Sequence, residues 1–132
     1  METERWYYKG VIFKRKRMKK FLVLYLAPVA MIEEWMKKPE AERKEEEGKM
    51  KGEWDVWAKE HAGALKETAG AGKTKRVTKD GVTDTKNDLM LFSIVEAESH
   101  EAAAKMFEGH PHFGIPEARI EIMPVNYLPG ME

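Results

Sequence analysis

Histidine is the side chain best suited to move protons near neutral pH, and this chain has four. His61 lies four residues after Trp57 and four before Leu65, so on a helix it would share their apolar stripe. Burial there would lower the pKa of the imidazole and make it a proton acceptor. The alternative is a core histidine bonded to one backbone carbonyl. His100, in the first turn of a predicted helix, is interpreted as exposed.

His110 and His112 flank Pro111, whose ring fixes the backbone between them. Three interpretations stay open. The pair could ligate a metal, although no convincing third and fourth ligands accompany it. One ring could be a general base oriented by Asp84 or Asp88. The loop could instead cap a helix and anchor the strand that follows.

The last predicted strand places two charges on one face. Arg119 and Glu121 alternate with Ile120 and Ile122. If the isoleucines meet the helices, the charges point toward a dimer interior, where they must pair or bind something polar. The alternative is an edge strand on which both charges reach solvent.

The elements that would position these residues follow from hydrophobic periodicity and turn signals. Asp80-Gly81 predicts a tight turn, Ser99 an N-cap and Gly109 a helix end. Strands are predicted at residues 20–27, 73–78, 89–96 and 118–123, and helices at 30–37, 40–65 and 101–107. This order predicts a ferredoxin-like βαββαβ α+β fold: a four-stranded antiparallel sheet with helices on one face.

Two of the predicted strands are apolar on both faces, the first and the third, which are central in a ferredoxin-like sheet. A sheet covered by helices on one side would normally present polar residues on the other. Something must therefore cover the second face. A twofold partner packing sheet against sheet is the simplest cover, so the sequence predicts a homodimer. The N-terminal arm folding back is the alternative.

Residues 1–17 differ from the rest and end in a basic cluster, Lys14-Arg15-Lys16-Arg17. We interpret them as a loosely ordered N-terminal basic arm, with one globular domain at residues 18–132 and Met18 as its natural start. An extra strand through residues 7–8 and 11–13 is the alternative. A basic arm can contact phosphates, but nucleic acid binding is not the preferred prediction.

The composition narrows the function classes. Lys plus Arg and Asp plus Glu both count 23, so no net charge draws the protein to nucleic acid or an anionic membrane. The absence of cysteine excludes disulfides and thiolate metal sites and fits a reducing cytoplasm. The apolar run at residues 21–32 is too short and interrupted to span a bilayer. It imitates a signal peptide, but we interpret it as a core strand.

Several segments together resemble the YCII-related, or DGPF-type, domain family. They are residues 54–57 (WDVW), 61–65 (HAGAL), 72–75 (GKTK), 80–84 (DGVTD), 94–97 (IVEA), 110–113 (HPHF) and 120–124 (IEIMP). The resemblance covers residues 18–125 and implies a dimeric α+β barrel with a suspected histidine and aspartate site. The chain departs from the family where Gly-Pro-Phe should follow Asp84, because residues 85–88 are Thr-Lys-Asn-Asp.

The sequence therefore yields two function hypotheses. In the first, the protein binds or converts a small polar metabolite by acid–base chemistry, without a metal or cofactor. Its predicted catalytic residues are His61, His110 and Asp84, and its predicted binding residues are His112, Trp57 and Glu121. In the second, the protein is a non-catalytic dimerisation or ligand-sensing module, in which no histidine bonds a carboxylate across an open pocket.

Overall fold

The computed structural model describes residues 3–8 and 11–131 of the chain, with side chains from residue 17 onward. Its helices are α1 (Val29–Met36), α2 (Glu40–Glu60) and α3 (His100–Lys105), with a 3-10 helix at Pro111–Gly114. Its strands are β1 (Thr3–Tyr8), β2 (Val11–Lys16), β3 (Lys19–Leu26), β4 (Leu65–Gly70), β5 (Thr74–Thr78), β6 (Gly81–Thr85), β7 (Leu89–Ala97) and β8 (Arg119–Pro124). No helix in the described part of the chain is long and apolar enough to cross a membrane.

Four strands form the main antiparallel sheet, in the order β4-β7-β3-β8. The two central strands are β3 and β7, the strands whose sequences are apolar on both faces. Val23 of β3 lies opposite Ser93 of β7 on one side and Ile122 of β8 on the other. The result is an α+β protein whose four-stranded sheet is compatible with a ferredoxin-like fold.

The core lies between one face of this sheet and the helices. Alternate residues of β3, among them Val23 and Tyr25, are fully buried on that face. Trp57 of α2 and Phe107, just beyond α3, pack against them. The opposite face carries apolar side chains that are only partly buried: Leu22, Leu24, Phe92, Ile94 and Met123.

The helix predicted over residues 40–65 is shorter than expected, and its last residues belong to the sheet. α2 ends at Glu60, because the backbone of His61 leaves helical geometry (φ −115°, ψ 21°) and its carbonyl accepts from the amides of Ala64 and Leu65. That turn starts β4, so Leu65 lies opposite Val95 of β7. The prediction that residue 65 ends a helix was wrong.

The strand predicted at residues 73–78 exists, but it lies outside the main sheet. β5 pairs with β6 in a separate two-stranded hairpin. Its turn is at Lys79 and Asp80, one residue earlier than expected, and Gly81 has a φ of +127°, which glycine adopts without strain. The second strand of the main sheet is therefore β4, which the sequence analysis did not predict.

The N-terminal segment forms a hairpin of its own. β1 and β2 pair antiparallel, with Thr3 opposite Lys16 and Tyr8 opposite Val11. This backbone corresponds to the predicted alternative of an extra strand, although it pairs with itself and not with the main sheet. The division between an arm at residues 1–17 and a domain at 18–132 stays a prediction.

Candidate functional site

Three of the side chains predicted to carry chemistry, those of Trp57, His61 and His110, lie together. The indole of Trp57 stacks on the ring of His61 with centroids 4.3 Å apart, and the ring of His110 lies edgewise to it at 4.5 Å. Trp57 is 7% exposed, near the end of α2. The helical spacing of Trp57 and His61 thus brings them together as predicted, and the chain after α3 adds His110.

His110 is buried where Gly109, with φ +70°, turns the chain after α3. Its Nδ1 accepts a hydrogen bond of 2.9 Å from the backbone N–H of His112. A neutral ring with Nδ1 as acceptor carries its proton on Nε2. That Nε2 is buried and has no hydrogen-bond partner among the described residues. Aromatic rings surround the imidazole of His110. The indole of Trp54 is nearly perpendicular to it, with the two ring centroids 4.4 Å apart.

Burial controls the charge of both loop histidines. Desolvation, with smaller contributions from His112 and His61, lowers the pKa of His110 to about 4. Burial also lowers the pKa of His112, although the backbone carbonyls of Leu26 and Arg119 act in the opposite direction. Both rings are therefore neutral at pH 7. His110 has no free lone pair in this state, since one nitrogen accepts and the other is protonated.

His112 joins the loop to the sheet. Its side chain is 1% exposed, and its Nε2–H donates to the carbonyl of Leu26, at the end of β3, over 2.8 Å. This geometry matches the interpretation of a loop that follows a helix and anchors a strand. Phe113 does not pack inside, as that interpretation assumed, because it is 47% exposed.

The other two histidines also bond to backbone carbonyls. His61 Nδ1–H donates to the carbonyl of Trp57 over 2.8 Å, which is the arrangement of the core-histidine alternative. His100, exposed as predicted, donates from Nε2 to the carbonyl of Ile122 over 2.7 Å and stacks on Phe21. In the described residues, no hydrogen bond or ion pair joins a histidine to a carboxylate.

Asp84 lies away from the histidines. It lies in β6 with a side chain that is 84% exposed, and it forms an ion pair of 2.7 Å with Lys75 across the hairpin. It lines a cleft beside α1 that contains none of the histidines. The structure therefore does not bring Asp84 together with His61 and His110.

Glu121 lies in the edge strand β8 and pairs with Arg119 over 3.4 Å, both side chains being about half exposed. Arg119 also reaches Asp88 at 3.2 Å. β8 is an edge strand and both charges reach solvent in the single chain, as the edge-strand alternative predicts. Ile120 and Ile122 pack against the core, so Arg119 and Glu121 also lie on the sheet face opposite the helices, as the first interpretation required. No group of three or more potential metal ligands occurs among the described residues.

A chain of hydroxyl groups under the sheet was missed from the sequence. The Tyr25 hydroxyl lies 2.9 Å from Ser93 Oγ, which lies 2.7 Å from Thr68 Oγ1. Burial raises the pKa of Tyr25 to about 12, despite the opposing hydrogen bond to Ser93. The available signal was Ser93 itself, a single polar residue in the middle of an apolar strand.

Replacing the central hydroxyl group, that of Ser93, should show how much these hydrogen bonds contribute to the stability of the fold. Ser93→Ala leaves the buried Tyr25 hydroxyl without its partner, and we expect it to lower the free energy of unfolding by about 1–3 kcal/mol. Urea denaturation measures the loss. The double variant Tyr25→Phe/Ser93→Ala removes both polar groups and should cost less than the two single variants added together. Additive costs would contradict the assigned hydrogen bond.

The chain matches no protein-family model, and it has no match among curated proteins.

Proposed function

We propose that the protein is a non-catalytic dimerisation module of the YCII-like kind, in which two copies pack sheet against sheet. One observation carries this proposal: on the face of the main sheet opposite the helices, the two central strands carry partly buried apolar side chains, and charged residues such as Glu67, Glu96 and Glu121 border them. Leu22 and Leu24 of β3 lie opposite Ile94 and Phe92 of β7, and Met123 of β8 extends the surface. A sheet face intended for water would carry polar residues at these positions.

The energetic argument favours a partner over water. Fully burying one Leu, Ile, Phe or Met side chain is worth about 1.5–3 kcal/mol relative to exposure. In a twofold contact each of these residues is buried in both copies, so the free energy gained from its burial counts twice. This gain has to offset the loss of translational and rotational freedom on association. A dimer of this kind is also what the YCII resemblance implies.

The placement of the histidines supports the non-catalytic hypothesis. Acid–base conversion needs a base and an orienting group that meet at a place a substrate can reach. His110 and His112 are buried, the hydrogen bonds of their rings within the described part of the chain go to backbone atoms, and Asp84 lines a different cleft. These contacts support a structural role for the loop. We propose that the protein acts in the cytoplasm. Besides its second copy, its proposed binding partner is a small molecule and not nucleic acid.

A single charge on the apolar face tests the dimer. Leu24→Lys places an ammonium group at the centre of the proposed contact. Dimerisation would remove it from water and bring it close to the same charge of the second copy. In the monomer the lysine stem can lie along the sheet and reach water. We expect the parent to sediment as a dimer and Leu24→Lys as a folded monomer in analytical ultracentrifugation, with unchanged circular dichroism.

Val77→Lys is the matched control, because Val77 is 74% exposed on the β5–β6 hairpin. It should sediment like the parent. A monomeric parent at tens of micromolar, or a Leu24→Lys variant that remains dimeric, would contradict the proposed function.

A further inference from the structure

A second surface feature lies at one end of the main sheet. A cleft of about 1310 Å³ opens between α1, the β5–β6 hairpin and the start of β7. Ligand pockets usually measure about 300–1,000 Å³, so the cleft is large enough to hold a small ligand. The cleft therefore has room for a molecule with both a polar and an apolar part.

The floor of the cleft is apolar. Helix α1 contributes Val29, Ile32 and Met36, which share one side of the helix at spacings of three and four. Another side of α1 is already occupied, because Trp35 donates from Nε1 to Glu46 of α2 over 2.8 Å. Met36 remains 54% exposed. α1 thus presents to the cleft an apolar stripe that is only partly buried, with Arg43 of α2 reaching the sulfur of Met36 at 3.8 Å.

The rim of the cleft is charged, and its charges do not balance. Lys75 pairs with Asp84 at 2.7 Å, and Lys86 pairs with Glu33 of α1 at 3.2 Å. Lys73, on the connection between β4 and β5, also lines the cleft. It has no ion-pair or hydrogen-bond partner among the described side chains. Within each of the two ion pairs the positive and negative charges cancel. Lys73 therefore leaves the rim with one uncompensated positive charge over an apolar floor.

We propose that this cleft binds a small amphipathic carboxylate, whose apolar body lies on α1 and whose carboxylate meets Lys73. An apolar ligand of this shape covers Val29, Ile32 and Met36, and its single negative charge complements the single unpaired cation. A cationic amphiphile would place its charge against Lys73 and is disfavoured. The inference does not depend on the dimer, because the cleft residues of α1 are outside the proposed sheet contact.

Isothermal titration with octanoate, below its micelle concentration, tests the proposal on the full chain. Octylammonium and octanol carry the same tail with opposite or no charge. We expect octanoate to bind at least tenfold more tightly than octylammonium, with octanol between them. Lys73→Gln should weaken octanoate about two- to fivefold, as for one exposed ion pair, and leave octanol unchanged. Lys79→Gln, at the hairpin turn, is the matched control and should bind like the parent.

Ile32→Asp tests the floor, since a carboxylate there removes apolar contact and repels the ligand, and octanoate binding should be lost. Circular dichroism and sedimentation of each variant show whether it is folded and in the parent's oligomeric state. Equal binding of octanoate and octylammonium, or unchanged binding in Lys73→Gln or Ile32→Asp, would overturn the proposal. The absence of octanoate binding by the folded parent would also overturn it. A parent that is monomeric but binds octanoate would contradict the proposed dimer and leave the cleft proposal standing.

Discussion

Trp57→Ala is expected to lower the free energy of unfolding by about 4 kcal/mol, the usual cost of deleting a buried indole. Trp57 holds three rings together, since it contacts His61, His110 and Phe107 with centroids 4.3, 4.5 and 4.9 Å away. Its removal leaves a cavity between α2 and the sheet, and His61 loses the surface on which it stacks. Urea denaturation of parent and variant, at equal protein concentration, measures the difference.

Trp35→Ala is the matched control for this experiment. Trp35 is half-buried on α1, and its side chain bonds Glu46 at 2.8 Å and lies under Arg43, 5.7 Å from the ring centroid. We expect its removal to cost about 1 kcal/mol, the net value of such a hydrogen bond. If Trp57→Ala cost no more than Trp35→Ala, Trp57 would be a surface residue available to a ligand, as the binding-site prediction supposed, and the core described above would be wrong.

The sequence predicted the central sheet well, because β3 and β7 consist of long apolar runs bounded by turn residues. It missed β4 for a physical reason. Residues 65–70 read Leu-Lys-Glu-Thr-Ala-Gly, which has neither strand alternation nor many β-favouring residues. An edge strand of this kind takes its conformation from pairing with β7, not from its own propensity. The helical stripe through Trp57 and His61 also reached Leu65 by spacing alone, so the helix was extended too far.

The site shows the same division between local and distant information. The contact of Trp57 with His61 follows from a separation of four residues on one helix, and local spacing was enough to predict it. The grouping of Asp84 with the histidines required knowing where the β5–β6 hairpin points. No local pattern encodes that direction, and residues 85–88 depart from the DGPF signature that was the basis for expecting a role for Asp84. Tyr25 was overlooked because its hydroxyl finds Ser93 only once two strands are in register.

Acidification should destabilise the protein through the buried histidines. The folded pKa of His110, about 4, lies below the ordinary value of 6.5 that applies when the chain is unfolded. The unfolded chain therefore takes up a proton first as the pH falls, which favours unfolding. The stabilisation is complete above pH 6.5 and is lost progressively toward pH 4. Between pH 7.5 and 4.5 we expect a loss of about 2–3 kcal/mol from His110, with a further loss in the same direction from His112.

Urea midpoints at a series of pH values measure this loss, and His110→Asn separates His110 from other titrating groups. The asparagine carboxamide oxygen can replace Nδ1 as the acceptor for the His112 N–H, which is bonded at 2.9 Å in the parent. Because asparagine does not titrate, the variant should be less dependent on pH between 6.5 and 4.5 even if it is less stable at pH 7.5. In the parent, protonation of His110 adds a proton at Nδ1 and therefore breaks the hydrogen bond that Nδ1 accepts from the His112 N–H. The neutral state of the ring and the geometry of the loop therefore depend on each other. Equal slopes in parent and variant would mean that His110 titrates as it does in water, which is incompatible with a ring buried among Tyr25, Trp54 and Trp57.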